Sequence, residues 1–158
     1  MKKYLLALDE GTTSARAILF DRYGGIVALA NQAIRQIYPQ PGWVEQDPMD
    51  IYAAQMAALT ECVAKSGIHP DELAAVGITN QRETAVLWER ETGTPVAPAI
   101  VWQCRRTAER CTALYDEGCD EMIRAKTGLR PDAYFSDTKW EWIFREHPDL
   151  LRRAQKGE

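Results

Sequence analysis

Histidine is nearly absent from this chain: His69 and His147 are the two in 158 residues. With imidazole so scarce, and no C-x-x-C pair among Cys62, Cys104, Cys111 and Cys119, no zinc-ligand set stands at a usual spacing. The same scatter argues against a secreted disulfide framework, so reduced, mostly buried thiols are expected. Long apolar runs are missing too. None approaches the ~20 residues that cross a bilayer, and Asp9-Glu10 interrupts the first run too early for a secretory signal. A cytoplasmic protein without a membrane span is expected. Basic charge is short as well, with 19 Lys and Arg against 23 Asp and Glu and a net charge of −4. Nucleic acid and anionic membrane are therefore not the expected partners. Finally, the G-x-x-x-x-G-K-[ST] loop is absent, so any nucleotide phosphate must be held by another device.

What remains is an ordinary globular composition, 46% hydrophobic and 27% charged, long enough for one domain with a real core. The first twenty residues carry its most telling pattern. Apolar runs at 4–8 and 15–20 are too short for good helices and are bounded by turn residues, so they predict a strand hairpin. Between them lie Asp9, Glu10, Gly11, Thr12, Thr13 and Ser14, with Arg16 just beyond. Backbone amides and hydroxyls beside one carboxylate suit an anion that brings its own cation. Gly11 and the hydroxyls of Thr12, Thr13 and Ser14 would hold phosphates, Arg16 a terminal phosphate, and Asp9 a hydrated Mg²⁺. A plain solvated hairpin turn fits the same residues.

Further along, 26–37 predicts a third strand and the proline- and glycine-rich 38–43 a loop. Asp47 as N-cap, Pro48 in the first turn and Asp50 behind it start a helix that Ser66-Gly67 ends. Its stripe of Ile51, Ala54, Ala58, Leu59, Cys62 and Val63 should pack on a sheet. Residues 74–79 read as a short buried strand and 85–89 as another, while 96–102 is a strand or an extended crossing limited by Pro95 and Pro98. The remainder turns helical, at 107–115, 120–126, 136–145 and 148–154, with Ser136 a plausible N-cap.

Asn80-Gln81-Arg82-Glu83-Thr84 is a polar stretch between apolar ones. Arg82 donates from a planar fork and Glu83 only accepts, so the two can grip adjacent hydroxyls of a polyol. An exposed ion pair in a strand connection is the plainer reading. Trp102 closes an apolar run and can cover the carbon side of a small polar ligand. It can equally cap a core, with Arg105 and Arg106 on a helix's solvent face. Tyr134 precedes a helix and can bond a hydroxyl or simply pack.

Taken jointly, these blocks resemble the FGGY carbohydrate kinase family, and within it the members that phosphorylate glycerol. The resemblance rests on 9–14, on Gln36-Ile37-Tyr38-Pro39 with Pro41-Gly42-Trp43-Val44-Glu45, and on 77–84. Residues 100–107 and Tyr134-Phe135-Ser136 carry it further, in the family's order from Tyr4 to the end. It implies an α/β, ribonuclease H-like (actin/hexokinase-type) mixed sheet with flanking helices, and an incomplete N-terminal domain over 1–158. It also implies ATP and Mg²⁺, with Gly11, Thr12, Thr13, Ser14 and Arg16 at the nucleotide phosphates and Asp9 at the metal through water. Glycerol would meet Arg82, Glu83, Trp102 and Tyr134. Related xylulose kinases share the phosphate loop but have a different block where this chain has Gln81-Arg82-Glu83-Thr84.

Two positions depart from the family pattern. Many relatives have glutamine at Glu10, whose carboxylate is expected to point away from the phosphates, and Asp137 replaces a small residue as surface variation. Family members are several-fold longer, and the resemblance puts their catalytic aspartate beyond residue 158, so no base is assigned here. The chain alone is then expected to be inactive, with apolar surface left bare on helices such as 103–116. Homo-oligomerisation of a longer enzyme stays open, as do a different polyol or sugar kinase and a non-catalytic binding or assembly module.

Overall fold

Alternating apolar residues build the first sheet and capping chemistry its helix, as a computed structural model describing residues 3–158 shows. In chain order the strands and first helix are β1 (Tyr4–Glu10), β2 (Ser14–Phe20), β3 (Ile26–Ala33), β4 (Glu45–Gln46), α1 (Pro48–Ser66) and β5 (Leu73–Thr79). Then follow β6 (Ala99–Ile100), α2 (Ala108–Asp116), α3 (Cys119–Thr127), α4 (Asp137–Glu146) and α5 (Pro148–Gln155). They divide into two units. One takes the chain through Gln36 and again Asp47–Gln81; the other takes Ile37–Gln46 and Arg82–Glu158.

In the first unit the sheet order is β3-β2-β1-β5, antiparallel except for the parallel β1–β5 pair. Period-two alternation sends Leu6, Ala17, Leu19, Ala28 and Ala30 to one face, where Ala58 and Cys62 of α1 meet them. Leu19, fully buried there, contributes about 1.5–3 kcal/mol by leaving water. The small alanines let the helix lie close. Asp47 caps α1 through its side chain, accepting from the Met49 amide, and Gly67 closes it at φ +66°. Both ends are therefore as the local sequence predicts.

Three strand expectations need correction. The third strand stops at Ala33; beyond it Ile37 forms only an isolated bridge to Glu45. Residues 74–79 do form a strand, but an exposed one: Val76 is 51% and Ile78 75% accessible. β5 is the edge of its sheet, so apolar composition alone misjudges its cover. No strand forms at 85–89. Ala85 and Trp88 make isolated bridges to Ile100 and Pro95, because Pro95 and Pro98 lack the amide donors a ladder needs. Exposed large apolar side chains lie on β3 (Ile26, Val27, Leu29), on α1 (Met49, Tyr52, Met56) and on β5 (Val76, Ile78), whereas α2 exposes Tyr115.

The second unit has little regular sheet, only β4 against β6. Its core is Val44, Ile100, Val101, Cys104 and Ile143, with Trp43, Trp102 and Trp142 packed around it. Arg106 is the correction here. Its side chain is 1% exposed, not solvated, and its guanidinium carbon lies 3.9 Å from the Trp43 ring centroid and 4.6 Å from that of Trp142. The two rings meet edge-on at 5.3 Å, and Glu45 takes the guanidinium's charge at 2.6 Å. Arg105 stays at the surface, paired with Asp132 at 2.8 Å. All four cysteines are free, three of them buried.

Candidate phosphate and polyol sites

The hairpin connection in the first unit is tied down by its carbonyls. Gly11 donates its amide to the Ser14 carbonyl at 3.1 Å, Ile34 donates to Thr13 at 2.9 Å, and Gln36 donates through its side chain to Thr12 at 2.8 Å. The negative ends of three successive peptide groups are thus taken up within the fold, which favours an anion over a cation at this turn. A side chain at position 11 would not fit: a Cβ there would lie 2.8 Å from the Ser14 carbonyl oxygen. Glycine is present for close approach.

Asp9 and Arg16 face each other across β1 and β2 and form an ion pair at 3.3 Å. Glu10 pairs with Ala15 in the same register, so strand alternation puts its side chain on the opposite sheet face from Asp9 and Arg16. Partial burial raises the Glu10 carboxyl pKa above the ordinary value. One functional neighbour escapes a sequence reading. Gln55, buried on the inner stripe of α1, donates its side-chain amide to the Arg16 carbonyl at 3.0 Å and steadies β2 where that arginine projects. A polar residue in a helical apolar stripe is its only signal.

Among the described residues no three His, Cys, Asp or Glu side chains cluster as metal ligands. A hydrated Mg²⁺ needs no such cluster, since it keeps several waters and takes one or two carboxylates plus substrate phosphates. Asp9, partly exposed beside the turn, fits that demand.

In the second unit three of the four polyol candidates come together. Trp102 and Tyr134 meet edge-on with centroids 5.8 Å apart, and Phe135 backs Tyr134 at 5.1 Å. Asp132 accepts from the Tyr134 amide at 2.7 Å and is fixed in turn by Arg105. The Arg105 hydrogen bond holds the Asp132 carboxyl below its usual pKa. Glu83 adopts φ +65°, the only non-glycine residue with positive φ among those described. Such a conformation costs on the order of 1–3 kcal/mol and persists only where surroundings impose it.

Those surroundings come from α4. Lys139, with no exposed surface, donates to the Glu83 carbonyl at 2.7 Å and to the Tyr134 carbonyl at 2.6 Å. Desolvation pulls its pKa down to about 8, with Cys104, Glu83, Asp137 and Asp132 acting the other way. Ser136 occupies the helix N-cap position but makes no cap bond; its hydroxyl goes to the Glu83 carboxylate at 3.2 Å. That corrects the expected capping role, and the reason is a competing, charge-assisted acceptor. Arg82 is exposed beside Glu83, and Asp137 is exposed at the start of α4. Charge-bearing Lys139 was hidden from sequence reading because one helical lysine usually lies on a solvated face.

Comparison with known proteins places the whole chain in a family. Residues 4–157 match the model of the FGGY family of carbohydrate kinases, N-terminal domain. A glycerol kinase of Shewanella sp. (strain ANA-3) is 54% identical over 157 residues, covering 99% of this chain and 32% of that protein. The crystal structure of Plasmodium falciparum glycerol kinase with ADP superposes with a TM-score of 0.89 at 31% identity, over 98% of this chain and 31% of that one. A xylulose kinase from Rhodospirillum rubrum gives 0.81 at 27% identity, over 94% and 30%. The chain therefore spans about a third of the length of the relatives it matches. No described helix is long and apolar enough to cross a membrane.

Proposed function

This chain belongs to the FGGY family of carbohydrate kinases, and we propose that it carries the phosphate loop and the polyol-binding cluster of an ATP-dependent, cytoplasmic glycerol kinase. The observation that carries the reading is the joint placement of Glu83, Tyr134 and Trp102. A carboxylate acceptor, a phenol and an aromatic wall suit a short polyol, whose hydroxyls need partners while its carbons need apolar cover. The 54% identity to a glycerol kinase supports the choice of polyol.

In this reading Gly11, Thr12, Thr13 and Ser14 hold the nucleotide phosphates through amides and hydroxyls. Arg16 leaves its pairing with Asp9 to meet the terminal phosphate, and Asp9 is freed to hold hydrated Mg²⁺. Bound Mg²⁺ would supply charge neutralisation on the β- and γ-phosphate oxygens. Arg82, Glu83 and Tyr134 hold glycerol's hydroxyls, and Trp102 lies against its carbons. A bond forms between glycerol's primary oxygen and the γ-phosphorus as the bond from that phosphorus to the bridging oxygen breaks, releasing ADP and the hydroxyl's proton. None of the described carboxylates is assigned as the base.

A chimera tests this. The matching 157 residues of the Shewanella glycerol kinase are replaced by this chain, and ADP release is followed with glycerol, xylulose or gluconate. Glycerol-dependent turnover, lost on Arg82→Ala, is expected. A soluble chimera that turns over xylulose but not glycerol would sink the assignment of substrate. The 158-residue chain alone is expected to release no ADP.

A further inference from the structure

We infer that Lys139 is a positioning residue, its ammonium fastening the backbone carbonyls of Glu83 and Tyr134 together so that both side chains address one ligand. The last clause rests on the polyol reading above; the fastening does not. Lysine is a costly choice for a position with no exposed surface, since its charge loses water and a methionine would fill the same volume. What lysine adds is a set of donors at the end of a flexible stem. Two are spent on carbonyls at 2.7 and 2.6 Å, one of them 56 residues away in sequence.

The fastened residues are not arbitrary members of the core. Glu83 is held in the left-handed region, where a carbonyl anchored from below offsets the local cost. Its carboxylate is meanwhile oriented by Ser136, one helical turn before Lys139 on the same helix start. Tyr134 has its amide fixed by Asp132 and its carbonyl by Lys139, which leaves the ring to pack against Trp102. α4 thus organises both loops. Ile143, four residues on and 1% exposed, anchors the same helix face in the core.

The experiment begins on the unaltered, isotope-labelled chain. Scalar couplings across hydrogen bonds are sought between the Lys139 Nζ and the carbonyl carbons of Glu83 and Tyr134; both are expected, and absence of both overturns the inference. Lys139→Met keeps the stem and removes the donors. It should shift the amide resonances of Thr84 and Phe135 and raise the glycerol dissociation constant by about tenfold or more. Leu19→Ala, in the core of the first unit, which lowers the melting temperature without touching either carbonyl, should leave that constant unchanged. A Lys139→Met chain with unmoved resonances and unchanged affinity overturns the inference. If Lys139→Met does not fold, the couplings in the unaltered chain decide. Couplings with no glycerol binding by the unaltered chain would uphold the fastening and reject the polyol reading instead.

Discussion

The candidate phosphate hairpin and the candidate polyol cluster reach order by opposite routes. The hairpin is regular secondary structure: a cross-strand register, a tight glycine and backbone hydrogen bonds, with alanines packing behind it. The polyol cluster has almost no regular structure of its own. It is irregular chain pinned by a long, buried, charged side chain, Lys139 from α4, and elsewhere in the same unit Arg106 is held in the same way between two tryptophans. Order in the first case is distributed over many weak backbone contacts. In the second it is concentrated in a few side chains, each expensive to bury and therefore expensive to lose. Single substitutions should hurt the second region far more than the first.

The largest expected effect follows directly. Arg106→Met leaves the Glu45 carboxylate, 14% exposed, without its cation and frees the edge-on contact of Trp43 and Trp142. A loss of about 3–5 kcal/mol is expected from breaking such a pair on one side. All five tryptophans, at 43, 88, 102, 140 and 142, belong to the second unit, so denaturant unfolding followed by indole fluorescence reads it directly. Adding Glu45→Met should recover part of the loss, because no unpaired charge then remains buried. A cost below about 1 kcal/mol for Arg106→Met alone would show that the region is not organised by this side chain.

That contrast also decides what a sequence can disclose. Strands β1 and β2 and the ends of α1 follow from neighbours within a few residues: alternation, Asp47, Pro48, Gly67. So does the candidate phosphate turn. Arg106 and Lys139 are different. Each sits in or beside a helix where a solvated face is the usual outcome, and what buries them comes from chain 61 and 56 residues away. The joining of Glu83 to Tyr134 was suggested by family resemblance, but the ammonium that joins them had no local signature. β5 shows the converse failure. Its composition predicts burial, yet whether anything covers an edge strand is not written in the strand itself.

The next expected effect tests the hairpin's distributed order. Gly11→Ala puts a Cβ 2.8 Å from the Ser14 carbonyl oxygen, a backbone atom that cannot swing aside. A loss of about 1–3 kcal/mol is expected, as for overpacking, seen as faster amide exchange in β1 and β2. ATP binding, measured in the chimera, should weaken with it. If exchange is unchanged, the turn is looser than its hydrogen bonds indicate, and the comparison with the pinned region sharpens further.

The smallest effect concerns Glu10, the position at which the family resemblance leads one to expect glutamine in many relatives. Its side chain lies on the sheet face opposite Asp9 and Arg16, so its charge should matter little to a nucleotide beside them. Glu10→Gln is therefore expected to leave ATP affinity within about twofold. Stability should respond differently, because burial raises this carboxyl's pKa in the folded chain. The folded state then holds the proton more tightly than the unfolded one, so the stability linked to that proton is complete below the ordinary carboxylate range and falls as pH rises through the folded pKa. Glutamine has no charge to desolvate. The variant should match the parent in acid, where Glu10 is protonated, and gain on it as pH climbs towards neutrality. A parallel pair of stability curves would mean that Glu10 meets water as freely folded as unfolded. A large change in ATP affinity would mean that its carboxylate reaches the phosphates, and that regular strand alternation fails at the one turn where function needs it most.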